Sequence, residues 1–175
     1  MSSARSRSTH PDAVDVIIDQ WKRELPELAS ENMALIGRLR RCSILLAPRL
    51  DEVFAAHDLS NGAFDVLATL RRAGAPYILT PTELFASLMV TSGTMTTRLQ
   101  NVQKRGWVER IPNPDDARSM LVRLTGAGRE LVEKVVFEHV ENERRILEKL
   151  PAETRRQLDA GLAELMQVLE DAKKD

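Results

Sequence analysis

Residues 111–125 read IPNPDDARSMLVRLT and place a turn between two apolar runs. The turn holds two prolines, an asparagine and two aspartates, which are residue types that reverse the chain. The run WVERI before it and the run SMLVRL after it are both β-like. The pattern therefore predicts a β-hairpin, with Arg118 just past its turn.

Two short predicted helices precede this hairpin. The first opens in LTPTELF, where Thr80 and Glu83 fit a capping box and a proline occupies the first helical position. The second lies in VTSGTMTTRLQNVQKRG, with Ser92 as its predicted N-cap and Gly106 as its terminating residue. Two short helices and a hairpin in this order are typical of a winged helix-turn-helix.

Apolar residues recur with helical spacing through most of the remaining chain. They predict helices over 12–28 and 33–54, the latter with a kink or break at Pro48, and a third from about Ser60 to Gly74. After Thr125 the chain is predicted to be helical to its end. We therefore expect a mainly α (α+β) fold.

Length and composition predict one folded domain over residues 12–175, preceded by a flexible arm over 1–11. The chain holds no secretory signal and no apolar stretch long enough to cross a bilayer, which favours a cytoplasmic protein without a membrane partner. Its single cysteine, Cys42, rules out an internal disulfide and is expected to be a buried, inert thiol.

Charge is distributed unevenly along the chain, although the net charge is only −1. Residues 98–129 hold seven Arg and Lys against three acids, whereas residues 130–175 hold eight basic and twelve acidic residues. The basic block surrounds the predicted hairpin. We therefore expect double-stranded DNA as the partner of this region.

The predicted second helix of the winged unit would enter the major groove by its N-terminal half. Short hydroxyl side chains suit phosphates and base edges there, and an arginine can reach a guanine or a phosphate. Arg118, near the tip of the wing, can enter a narrow minor groove. Asp116 is expected to orient an arginine. The predicted DNA-binding residues are Ser92, Thr94, Thr96, Thr97, Arg98 and Arg118.

Residues 79–131 closely resemble the MarR family of bacterial transcriptional regulators, including its Asp-x-Arg wing signature at Asp116 and Arg118. The resemblance implies a homodimer that binds a pseudopalindromic operator, most simply as a repressor. It also implies dimerisation helices over 12–60 and 126–175 on either side of a winged helix-turn-helix over 61–125. Dimer symmetry predicts two half-sites about ten base pairs apart.

The additional first helix, with its DQWKREL segment, is similar to the urate-responsive branch of that family. This resemblance implies a site for a small heteroaromatic anion such as urate, formed by Trp21, Asp65, Arg72 and Arg110. The residue types agree with such a ligand. Asp65 and Arg72 are seven residues apart on one helix face, a guanidinium pairs with an anion, and an indole ring stacks on a flat ring.

Three alternatives remain open at this point. The effector could be an aromatic or pyridine carboxylate, for example a hydroxynicotinate. There could be no effector, with Trp21 packing at the dimer interface and Asp65 and Arg72 forming a structural pair. A third class is a helical adaptor that does not bind DNA.

The sequence predicts no enzyme, no cofactor and no metal site. It contains neither a G-x-S-x-G motif nor a P-loop. His10, His57 and His139 are scattered, without a second ligand at metal-binding spacing. His139 is expected to be solvated or part of an interface.

Overall fold

The computed structural model describes residues 11–88 and 95–172. Within these residues the chain forms seven helices and one three-stranded sheet. The helices are α1 (Ala13–Glu24), α2 (Glu31–Ala55), α3 (Asn61–Arg72), α4 (Pro81–Ala86), α5 (Met95–Lys104), α6 (Gly126–Leu147) and α7 (Ala152–Asp171). The strands are β1 (Ile78–Leu79), β2 (Val108–Asn113) and β3 (Asp116–Leu124). The predicted mainly α (α+β) class is confirmed.

The contacts divide the chain into two units, one up to Pro48 and one over Arg49–Asp175. The division falls inside α2, which continues through Pro48 without the break that the sequence allowed. Each unit is described by itself. The single domain over 12–175 and the dimerisation segments stay predictions.

In the first unit, Asp12 caps α1 by accepting hydrogen bonds from the backbone N–H groups of Val14 and Asp15. The helix ends at Glu24, earlier than the predicted residue 28. Pro26 causes this early end, because the residue before a proline is disfavoured in the helical region.

Arg38 of α2 holds the start of α1 in this unit. Its Nε lies 2.7 Å from Oδ2 of Asp12, and its Nη2 pairs with Asp15. The Arg38 guanidinium, together with backbone N–H donors, lowers the pKa of Asp12 to about 2. The two helices are therefore joined by a charge-assisted contact.

In the second unit, α3 packs against α5 and α6, and the sheet has the antiparallel order β1-β3-β2. The hairpin of β2 and β3 is the predicted wing, with Val108 opposite Leu124 and a register shift at Pro112. Apolar side chains of α3, α5, α6, β2 and β3, together with one each from α2 and α4, form one buried core. It includes Phe54, Leu67, Leu70, Leu84, Leu99, Val102, Val108, Val122, Val132 and Val135.

The local signals around the wing are confirmed. Oγ1 of Thr80 accepts from the backbone N–H of Glu83, and the Glu83 carboxylate accepts from the backbone N–H of Thr80. Gly106 follows α5 with a φ of 73°, a conformation that favours glycine. Thr125 caps α6 through a 3.1 Å hydrogen bond from the backbone N–H of Gly128.

The predicted burial of Cys42 is wrong, because the thiol is exposed. Residues 41–45 of α2 are exposed on every side of the helix, so even an apolar side chain in this stretch is not covered within the chain. Among the described residues, none of the helices is long and apolar enough to cross a membrane.

Candidate nucleic-acid interface and effector cleft

The first candidate surface lies on α5, the second short helix before the wing. Leu99 and Val102 point into the core and fix the orientation of the helix, while Thr96 and Thr97 are exposed. The predicted contacts Ser92 and Thr94 lie outside the described residues. The outer side of α5 is thus free of core packing at the two threonines.

Arg98 lies differently from the two threonines. Its guanidinium rests on the first turn of α3, where a Cβ atom added to Gly62 would be 2.6 Å from Nε of Arg98. Nη1 of Arg98 is buried and has no hydrogen-bond partner within residues 11–88 and 95–172. In this position Arg98 packs inside the unit, and a contact with DNA would require its side chain to move.

The wing tip is built by short side chains that bond to the backbone. Asn113 accepts a 3.1 Å hydrogen bond from the backbone N–H of Asp115, and its Nδ2 donates to Ser119 at 2.8 Å. Asp116 accepts a 2.9 Å bond from the backbone N–H of Arg118, so it bonds to the main chain of that residue rather than to a guanidinium. The Arg118 side chain is exposed.

Other arginines of the basic block are engaged within the unit. Arg123 pairs with Glu109 across the wing at 2.9 Å. The guanidinium of Arg105 lies 5.0 Å from the centre of the Trp107 ring, within the range of a cation–π contact. Arg123 on the wing and Arg105 after α5 are therefore held in place by contacts within the unit.

A second feature is an open cleft of about 680 Å³ between the end of α2, α3 and α6. Two of the four predicted effector residues, Asp65 and Arg72, line it together. The other polar residues of its wall are Asn61, Arg71, His139 and Glu143. Apolar side chains complete the wall: Leu50, Phe54, Phe64, Ala68, Val132 and Val136. The mixture of apolar wall and few charged groups is typical of small-molecule sites.

Arg71 and Arg72 differ although they are neighbours on this wall. Nε of Arg71 donates to Glu133 at 2.7 Å, which raises the pKa of the Arg71 guanidinium. Nη2 of Arg72 donates instead to the backbone oxygen of Ser87, at 2.5 Å, at the C-terminal end of α4. Arg72 thus joins the cleft to the helix that precedes α5.

The remaining two predicted effector residues belong to other elements, β2 and α1. Arg110, on β2, is exposed and is not among the residues that line the cleft. Trp21, on α1, belongs to the first unit and is 40% exposed.

His139 is a cleft residue that the sequence reasoning missed. Its side chain is only 17% exposed, and its ring lies 5.0 Å from the ring of Phe54 and 5.2 Å from that of Phe64. Nε2 lies 3.2 Å from Glu143, while Nδ1 is buried without a partner in the described part of the chain. The solvated alternative for His139 is therefore wrong, because its ring packs against Phe54 and Phe64, while an interface role stays a prediction.

Comparisons with known proteins agree with this geometry. A profile of the MarR family matches residues 57–119. The HTH-type transcriptional regulator PecS of Dickeya dadantii is 44% identical over 149 residues, covering 85% of this chain and 90% of the relative. The multiple antibiotic resistance protein MarR of Escherichia coli is 39% identical over 85 residues, which is 49% of this chain and 57% of that protein.

Solved structures have the same fold. A MarR-like transcription regulator from Bacillus cereus superposes with a TM-score of 0.72 at 26% identity, covering 81% of this chain and 99% of the other. A cysteine-to-serine mutant of E. coli MarR, in complex with operator DNA, gives a TM-score of 0.66 at 29% identity, covering 79% and 99%. Proteins with these names are transcriptional regulators and not enzymes. The chain therefore belongs to the MarR family of transcriptional regulators.

Proposed function

We propose that this protein is an effector-responsive DNA-binding regulator, a homodimeric repressor that leaves its operator when a small heteroaromatic anion such as urate binds. The observation that carries the proposal is the position of Arg72. It lines the cleft beside Asp65 and also bonds to the end of α4, one helix before α5. A ligand that binds the Arg72 guanidinium would break its bond to Ser87 and so change the contact between the cleft and α4, the helix before α5.

For DNA binding, we propose that α5 enters the major groove of a pseudopalindromic operator. Ser92, Thr94, Thr96 and Thr97 would contact phosphates and base edges, and Arg118 would reach the minor groove from the wing. Support comes from the exposure of Thr96, Thr97 and Arg118, which lie beside or within the basic stretch of residues 98–129. The similarity to a MarR protein whose structure contains operator DNA is further support.

For the effector, we propose that the anion competes with the Ser87 carbonyl for the Arg72 guanidinium. A charge-assisted bond to an anion is stronger than a bond to a neutral carbonyl, so the ligand would draw Arg72 into the cleft. Loss of the bond at Ser87 would loosen the position of α4 and lower the affinity for the operator. Trp21 and Arg110 stay predicted members of the site.

An aromatic or pyridine carboxylate, such as a hydroxynicotinate, is the second candidate effector. Its support is that two guanidinium groups, Arg71 and Arg72, border one cleft with an apolar wall. Since Arg71 is already paired with Glu133, a carboxylate would also bind chiefly to Arg72.

The DNA arm of the test is a gel shift on duplex DNA from the protein's own promoter region at physiological salt. We expect a specific complex, and we expect Arg118→Ala to weaken it and to reduce the salt dependence by about one phosphate contact. Arg123→Ala serves as the matched control, because Arg123 is paired with Glu109 at the base of the wing. A protein that ignores duplex DNA would instead be the helical adaptor.

The effector arm titrates the complex with urate, 6-hydroxynicotinate and salicylate. We expect release by one of them. Arg72→Ala removes the bond to Ser87 even without ligand, so it should bind the operator more weakly than the wild type and show no further release by the compound. Arg71→Ala removes the same charge from the same cleft but takes away an arginine that Glu133 already holds, so it should keep the response. A tight complex that none of the three compounds releases would contradict the proposed effector class.

A further inference from the structure

The contact between Arg98 and Gly62 stands apart from the rest of the α3–α5 packing. A Cβ atom at Gly62 would lie 2.6 Å from Nε and 2.8 Å from both Cδ and Cζ of Arg98. All three atoms belong to the distal part of a flexible side chain rather than to backbone. The space that a side chain would fill at position 62 is therefore occupied by the end of the Arg98 side chain of α5.

Two features make the first turn of α3 an unfavourable environment for the positive charge of Arg98. The N-terminal turn of a helix carries partial positive charge, and α3 has no acidic residue in its first turn to offset it. In addition, Nη1 of Arg98 is buried with no acceptor among the residues that the structure describes. A buried donor without an acceptor opposes the state that contains it.

The same side chain is well suited to DNA. It projects from α5 one residue after Thr97, which is exposed. A phosphate or a guanine edge would supply the acceptor that Nη1 of Arg98 lacks, in a charge-assisted and bidentate geometry.

We propose that Gly62 is a positioning residue for DNA recognition, which holds Arg98 against α3 in the free protein and releases it to the operator. The inference rests on the proposed DNA-binding function. Movement of Arg98 out of this contact accompanies binding, and the contact with Gly62 competes with DNA for the same guanidinium. Because glycine leaves room for Arg98 against α3, it lowers the affinity for the operator relative to a residue with a side chain at position 62.

Gly62→Ala tests this directly, because its methyl group displaces Arg98 from α3 before DNA arrives. We expect operator affinity in a fluorescence anisotropy titration to rise by about threefold to tenfold, whereas Arg98→Ala should lower it by about tenfold or more. The double variant should bind as Arg98→Ala does, since no guanidinium remains to be displaced. Gly126→Ala, in the first turn of α6 where a Cβ atom meets nothing, is the matched control and should bind as the wild type.

A readout without DNA accompanies the titration. In NMR spectra of the free protein, the Arg98 guanidinium N–H groups should exchange slowly in the wild type, where Nη1 is buried, and quickly in Gly62→Ala. Thermal melting of each variant confirms that it is folded, and Gly62→Ser repeats the test with a second side chain.

Several outcomes would overturn the inference. Unchanged or weaker operator binding by a folded Gly62→Ala variant would show that Arg98 is not held back by Gly62. An equal gain in the Arg98→Ala background would assign the effect to the helix and not to the arginine. A wild type that binds no duplex DNA would overturn the proposed function, and the inference with it, even if the NMR signal showed the contact with Gly62.

Discussion

Gly128, in the first turn of α6, lies in close contact with the backbone at the start of the wing. An added Cβ atom would overlap the backbone oxygen of Trp107 and would lie 2.9 Å from the Leu124 side chain. Because one of these neighbours is backbone, it cannot move aside as a flexible side chain does. The first turn of α6 therefore packs against the backbone at Trp107 with no room for a side chain at position 128.

We expect Gly128→Ala to lower the free energy of unfolding by about 1–3 kcal/mol, since overpacking a close contact forces the backbone to shift. Urea unfolding followed by circular dichroism measures this change. Gly126→Ala is the control, because it lies in the same turn but an added Cβ atom there meets nothing. Equal stability of the two variants would show that the backbone at Trp107 can move without cost.

At the scale of elements, the first helix is held to the second by charges at its N-terminal end. Asp12 caps α1 and also pairs with Arg38 of α2, and its pKa falls to about 2 from an ordinary value of 3.8, chiefly because the Arg38 side chain donates to it. The pKa of Asp15 is lowered too, first by the backbone N–H of Asp12 and then by Arg38. A carboxyl with a depressed pKa in the folded state favours folding only while it is ionised.

The sign of the pH dependence follows from these shifts. The stabilisation of α1 should be complete above pH 3.8 and should be lost as the pH falls towards 2. A ¹³C NMR titration of the Asp12 carboxyl measures its pKa, and Cα chemical shifts report the helix. In Arg38→Gln we expect the Asp12 pKa to move up towards the ordinary value.

Arg41→Gln is the matched control, because Arg41 is exposed on the same helix and should leave the titration of Asp12 unchanged. An Asp12 midpoint that stayed near its wild-type value in Arg38→Gln would contradict the assigned cause. The backbone donors of the cap would then account for the shift alone.

Elements whose signals are local were predictable from the sequence. The capping box of Thr80 and Glu83 and the terminating Gly106 depend only on residues a few positions away, and the structure places each as expected. The end of α1 at Glu24 also has a local signal, since Pro26 disfavours a helical conformation at Leu25. The exposure of Cys42 has none, because burial depends on what covers α2.

The candidate sites were predictable only in part, for the same reason. The spacing of Asp65 and Arg72 placed them on one helix face, and they do line one cleft. Their partners come from distant segments, as the bond from Arg72 to Ser87 and the rings around His139 show. The contact of Arg98 with Gly62 has no signal in sequence spacing, since it depends on how α5 crosses α3.

At the scale of the whole molecule, α7 is an amphipathic helix without a covered face in the single chain. None of its residues is buried over Ala152–Asp171. Its apolar stripe of Leu158, Leu162, Met166 and Leu169 is between 44% and 57% exposed. Most of the stability of such a helix comes from packing of its apolar face, so another surface must cover this stripe. The proposed occupant is a second copy of this chain, as the resemblance to the MarR family implies.

Leu162→Glu tests that assignment by placing a charge in the middle of the stripe. Burying an unpaired carboxylate is costly, so we expect sedimentation velocity to show a monomer at concentrations where the wild type is a dimer. Operator affinity should then fall by more than about tenfold, because the two winged units no longer bind their half-sites as one molecule. Ala160→Glu adds the same charge two residues away, on the opposite side of the helix, and should remain dimeric with unchanged affinity. A folded Leu162→Glu variant that stays dimeric would place the dimer interface on surfaces other than α7.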